Sequence, residues 1–262
     1  MKDGDKFSSL EKYTSPLILF QLIDSSVPTG GFAHSNTIEV AHQMNLIGTT
    51  SCTLLNHIWD VLVNTYSSTF PYLHKSFKIM DTLGIGSDSR SPQQQSEIIQ
   101  NLIELDLALS TTMTSHVMRR ASFVQGSGML RAFTASFPEL GFILKPLKRQ
   151  LLKKTVMTGI ETGHAVTIFG AVCGLLKVAD AKTTGEMFLY MTARDMVSAA
   201  IRLNLVGPLE GGFYVNELCK KGSVLSFDKD GSGLTEIDIK SAHQVAPLVE
   251  IVSPGFLIYY VL

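Results

Sequence analysis

Apolar residues in this chain recur at steps of three and four far more often than they alternate, and that period leaves little besides helices to build with. Between residues 97 and 118 they fall at Ile98, Leu102, Leu105, Leu109, Met113 and Val117, the stripe of one helix face. Leu54, Leu55, Ile58, Trp59, Leu62 and Val63 repeat the pattern over residues 52–66. A third long helix is predicted over residues 186–206, stopped by Gly207-Pro208. Residues 163–179 are apolar almost all round, which predicts a central helix. Strand-like alternation is scarce. Together these patterns predict an all-α fold, a single-domain helical bundle.

A chain of 262 residues can bury a sizeable core. Its 45% hydrophobic against 17% charged residues fit buried helices or a protein that hides apolar surface in a complex. A net charge of −1 gives no electrostatic pull toward nucleic acid or anionic membrane. The apolar run Ala165–Leu176 is 12 residues long, well short of the roughly 20 that span a bilayer. Cys52, Cys173 and Cys219 are widely spaced and odd in number, as expected of reduced thiols in a cytoplasmic protein. The opening Met-Lys-Asp-Gly-Asp-Lys lacks the apolar core of a secretory signal. By composition, residues 1–15 read as a flexible tail, about 81–96 as a linker, 222–238 as a second loop, and 251–262 as an uncharged apolar tail.

The most constrained short stretch is 24–35, Asp-Ser-Ser-Val-Pro-Thr-Gly-Gly-Phe-Ala-His-Ser. Pro28 fixes φ, and Gly30 and Gly31 permit positive φ, so a sharp turn is expected, with Phe32 and His34 displayed on it. Ser35 or Asn36 is placed to cap the next helix. A rigid helix–helix corner and a functional loop both satisfy this pattern.

Catalytic templates fail in turn. There is no G-x-x-x-x-G-K-[ST], no G-x-S-x-G and no H-E-x-x-H. The histidines, at 34, 42, 57, 74, 116, 164 and 243, are isolated, and a stable metal site needs three or four convergent ligands. Asp228-Lys-Asp-Gly-Ser-Gly opens like a calcium loop, but Ile239 stands where the bidentate Glu belongs, so a tight surface turn accounts for it better. Lys145, Lys148, Arg149, Lys153 and Lys154 form either a solvated helix face or a dock for an acidic partner. Arg202 lies in apolar company, while Arg119 and Arg120 precede a run of small residues. Such guanidinium groups either bond helix-end carbonyls or line an interface.

Several blocks in order carry a family resemblance. Asp24-Ser-x-x-Pro28-Thr29-Gly30-Gly31-Phe32-Ala-His34-Ser35, with Glu39 following, resembles the N-terminal signature of the urease accessory protein F family (UreF). Arg119-Arg120-Ala121-Ser122 with Gln125-Gly126-Ser127 resembles its central block, and Gly163-His164 with Phe169-Gly170 a later helix start. Ser198-Ala-Ala-Ile-Arg202-Leu-Asn-Leu-Val-Gly207-Pro-Leu209 and Ala246-Pro-Leu-Val-Glu250 complete the series. The resemblance implies an all-α domain over residues 16–250 that dimerises and performs no bond chemistry. It further implies partners: the urease accessory D/H protein, the nickel-carrying accessory GTPase G, and apo-urease. Nickel would be transferred cargo with no tightly bound cofactor, and His34, Glu39 and His164 are the candidate donors along a transient passage. Residues 251–262 depart from the family's polar, arginine-containing tail. Two rivals stand beside this reading: a helical scaffold unrelated to nickel, and an enzyme using His34 or His164 as a base, for which no nucleophile or orienting carboxylate is readable.

Overall fold

The computed structural model of the chain describes residues 16–29, 31, 37–47, 51–83 and 91–223. Among the described residues lie nine α-helices and no strand, in agreement with the all-α expectation. They are α1 (Pro16–Ile23), α2 (Ile38–Gln43), α3 (Ser51–Asp81), α4 (Pro92–Thr112), α5 (His116–Ser136), α6 (Gly141–Thr158), α7 (Ala165–Leu176), α8 (Ala181–Arg202) and α9 (Pro208–Gly222). No helix among the described residues is long and apolar enough to cross a membrane.

Every residue of α7 is buried. It packs chiefly along α3, and also on α5 and α8, while α6 covers α4 and α5, and α9 covers α8. One apolar cluster gathers α7 with α4, α5, α6 and parts of α3 and α8; a second joins α2, α9 and the remaining parts of α3 and α8. Helix α3, 31 residues long and roughly 46 Å by the usual rise per residue, therefore serves both. So does α8.

Glycine lets α7 lie directly on α3. Gly170 and Gly174 lie one turn apart on α7, against the backbone of α3. A Cβ at Gly170 would stand 2.5 Å from the Leu73 carbonyl oxygen and overlap Ser76 Oγ; one at Gly174 would overlap the Phe77 carbonyl oxygen. Ser76 is fully buried and turns its hydroxyl back onto Leu73 O at 2.8 Å, so its own donor is satisfied within the seam.

Four sequence expectations change. The helix expected over 97–118 is two helices. Helix α4 ends at Thr112, Met113 is extended, and Ser115 caps α5 by accepting from Met118 N at 3.3 Å. Both helices face one core, so the apolar stripe runs through the break without marking it. The helix expected over 52–66 continues to Asp81, because Ser67, Ser68 and Thr69 bond back to carbonyls four residues earlier instead of ending it. The linker about 81–96 is shorter than its composition suggests. Ser91 and Gln94 form a capping box, with Ser91 N donating to Gln94 Oε1 at 3.1 Å, and Pro92 takes the first helical position. Helix α8 ends at Arg202 rather than at Gly207-Pro208. Asn204 adopts φ 56°, and Leu205 N bonds Ala200 O at 3.0 Å, a Schellman stop with asparagine in the usual glycine place. Gly207 and Pro208 instead begin α9. Gly222 ends α9 and Ser223 caps it, while residues 224–238, with the calcium-like turn, and the tail 251–262 lie outside the described residues.

Alanine at Gly170 or Gly174 forces α3 and α7 apart. Each substitution is expected to lower unfolding stability by about 1–3 kcal/mol, as overpacked cores do. Urea melts of the purified variants measure this; unchanged midpoints would refute the glycine seam.

Candidate functional site

The site is built around the N-terminus of α7. A helix that is apolar on all sides still begins with backbone N–H groups that need acceptors. His164 occupies the N-cap position with extended backbone, but its side chain provides no cap. The acceptor comes from another helix: Asp106 of α4, 1% exposed, takes Gly163 N at 2.5 Å and His164 N at 2.9 Å, and also the Thr167 hydroxyl. From α5, Ser122 Oγ accepts Ala165 N at 3.3 Å. Gly126 lets α5 come this close, since a Cβ there would overlap Gly163 O and sit 2.8 Å from Ala165 N. Gly163 itself has φ 100°, a conformation that suits glycine.

His164 is fully buried, and neither ring nitrogen has a hydrogen-bond partner among the described residues. Burial holds its pKa below the ordinary histidine value, with the Asp106 charge opposing. It is a neutral imidazole at neutral pH.

A second set of contacts holds the corner after α1. Asp24 accepts Ser26 N at 2.8 Å, and chiefly this backbone bond keeps the Asp24 carboxyl below its usual range. Pro28 is exposed and Thr29 buried. Gly31 sits so near α5 and α8 that a Cβ would stand 2.7 Å from Gln125 Nε2 and overlap the Asp195 carboxylate. Gly128 of α5 lies under the same corner, where a Cβ would meet Thr29 O at 2.9 Å. On α8, Arg194 donates to Asp195 Oδ1 from Nη2 at 2.9 Å and to Ile23 O from Nη1, tying the end of α1 to α8. Burial pushes the Asp195 carboxyl up, opposed by Arg194.

The structure thus brings together Thr29, Gly31 and Gln125 at the corner, and Ser122, Gly126 and His164 at the α7 start. Arg119 and Arg120 lie in the first turns of α5, not at the end of a long helix. Arg119 Nη1 bonds Met113 O at 3.1 Å and closes the α4–α5 corner. Arg120 reaches Glu161 Oε1 at 2.7 Å and lies over the Phe123 ring at 5.3 Å. Arg202 is exposed at the end of α8, and Gly207 is the exposed N-cap of α9 with open space around it. Glu39 is half-buried in the first turn of α2, a helix that packs on α8. Gly30, Phe32, His34 and Ser35 lie outside the described residues. Among the described residues, no three His, Cys, Asp or Glu side chains are grouped so as to hold a metal. Cys173 is a core thiol pushed up to about 12 by burial.

Asp106, Thr167, Arg194 and Asp195 were not singled out from sequence. Asp106 did leave a signal: it sits among Leu102, Ile103, Leu105 and Leu109, and an acid within an apolar stripe requires a buried partner.

Two measurements probe this centre. Asp106→Ala leaves buried N–H groups without acceptors and is expected to cost about 3 kcal/mol or more of stability by denaturant titration; a loss under ~1 kcal/mol would refute the cap. Acidification is expected to destabilise the fold. The unfolded chain protonates His164 near 6.5, whereas the fold holds it neutral to lower pH. Stability present above that value is therefore lost as pH falls below it, with a slope of up to ~1.4 kcal/mol per pH unit for each such proton. His57 and His74 act in the same direction, both lowered mainly by burial. His164→Leu should flatten the slope between about pH 7 and pH 5; an unaltered slope would exclude His164 as a source.

Comparison with known proteins joins these residues to a family. The UreF family model matches residues 42–218. Urease accessory protein F of Arabidopsis thaliana is 36% identical over 190 residues, covering 72% of this chain and 69% of that protein. Urease accessory protein F of Oryza sativa subsp. indica is 31% identical over 232 residues, 88% of this chain and 77% of the relative. Urease accessory protein UreF of Haemophilus influenzae (strain PittGG) is 26% identical over 218 residues, 81% and 82% of the two chains. The resemblance read from the motif blocks holds, and the chain belongs to the UreF family of urease accessory proteins, which are accessory proteins and not enzymes.

Proposed function

We propose that this chain is a helical adaptor in urease maturation. It bridges the accessory D/H protein and the nickel-carrying accessory GTPase to apo-urease, and it helps nickel enter the urease active site. The observation that carries the reading is the family match over residues 42–218, together with relatives named urease accessory protein F. The use made of the buried polar groups supports it. Asp106, Ser122 and Arg194 bond the backbone of other helices, which stiffens the body as an adaptor requires. In this reading the protein works as a dimer in the cytoplasm, and nickel is cargo with no tightly bound cofactor. The neutral imidazole of His164, with His34 and Glu39, remains the proposed transient passage, since a neutral imidazole is the form that binds a metal.

Complementation of a host lacking its own urease accessory protein F tests the proposal, with urease activity and nickel per urease active site as readouts. This chain is expected to restore both. Gly31→Val, which drives a branched side chain into Asp195 and Gln125, should restore neither at equal protein level. Normal urease maturation in the host without the chain would overturn the reading.

A further inference from the structure

Helix α6 carries five cationic side chains and no acidic one, although the whole chain is at −1, so the positive charge concentrated here is offset by a net −6 over the remainder. None of Lys145, Lys148, Arg149, Lys153 or Lys154 makes an ion pair among the described residues. The inner face of α6, Ile143, Leu144, Leu147 and Leu151, is spent in the core. Its outer face is not uniformly polar: Leu152, Val156 and Met157 are 63%, 76% and 72% exposed. Lys145, Arg149, Leu152 and Val156 follow the spacing of a single helix face. That face is cationic toward the N-terminus and apolar toward the C-terminus, and the two halves are centred roughly 10 Å apart at the α-helical rise.

We propose that the outer face of α6 docks an acidic segment of another protein, one whose carboxylates meet Lys145, Lys148 and Arg149 while apolar anchors cover Leu152 and Val156. The proposal rests on the function proposed above, in that the segment belongs to a protein of the urease maturation assembly. Charge decides the kind of occupant. A second copy of this face would set cation against cation, which disfavours symmetric self-pairing here. A lipid surface calls for a broad free apolar face, and the broad apolar face of α6 is already buried in the core. A protein segment with acids and two apolar anchors fits both halves, its carboxylates meeting the cations and its anchors covering the exposed aliphatic side chains.

The test uses the full chain and its cognate apo-urease, accessory GTPase and D/H protein, each titrated separately. One of the three is expected to lose affinity about tenfold or more with Lys148→Glu/Arg149→Glu, and again with Leu152→Ser/Val156→Ser, while the other two bind as before. Circular dichroism melts check that these surface variants stay folded, and added salt should weaken the parent's binding to that same partner. Equal binding of all three partners by parent and both variants overturns the docking face and leaves the adaptor role standing. A parent that binds none of them overturns both the face and the adaptor reading. Phosphatidylserine vesicles bound by the parent and released by the variants would overturn the protein occupant in favour of lipid.

Discussion

A helix buried on every side surrenders the solvent that would otherwise satisfy its first backbone N–H groups. In this protein Asp106 takes the place of that solvent, reaching from α4 to accept Gly163 N, His164 N and the Thr167 hydroxyl. A carboxylate at a helix start is favoured twice, by hydrogen bonding and by the helix dipole, and both effects strengthen where water is excluded. Much else is organised around this contact. It fixes α4 against α7, and Ser122 adds α5. Gly126 removes the one side chain that would hold α5 away.

The same economy of side chains appears along the whole bundle. Where α3 and α7 meet, Gly170 and Gly174 bring two backbones into contact, and the larger residues around them fill the remaining space. Where α1, α5 and α8 meet, Gly31 is seated against Gln125 and Asp195, and Arg194 binds the last turn of α1. A few polar groups in this core, Asp106, Ser122 and Arg194 among them, act between helices, while Ser67, Ser76 and Thr184 bond back within their own. A body joined in this way transmits a push on one helix to its neighbours, because packed interiors yield little.

For an accessory protein of the UreF family, that rigidity matters more than any reactive group. An adaptor holds partners in register only if its own helices keep theirs. The corner after α1 is where family signature and structure meet most closely: Thr29, Gly31 and Gln125 belong to the motif blocks and touch, or nearly touch, Gly128 and Asp195, which do not. The buried imidazole of His164 lies beside the same stretch of α5, where Gly126 meets the His164 backbone, and it is neutral and without a hydrogen-bond partner among the described residues.

The sequence by itself determined the helical class, the central place of α7 and the family, because these depend on the period of apolar residues and on the order of local motifs. It also named most of the residues that gather at the corner and at the α7 start. It did not reveal the break at residues 113–115, since two helices that face one core keep a common stripe across it. Nor did it show that Ser91 and Gln94 belong to a helix, because a polar capping box looks like a linker in composition. Only the tertiary structure decided what Asp106, Arg194 and Asp195 do. Asp106 meets its partners 57 to 61 residues away, and Arg194 meets Ile23 at a separation of 171. Contacts at such range leave no periodic trace, because the folding of the chain, and not its local spacing, brings those atoms together.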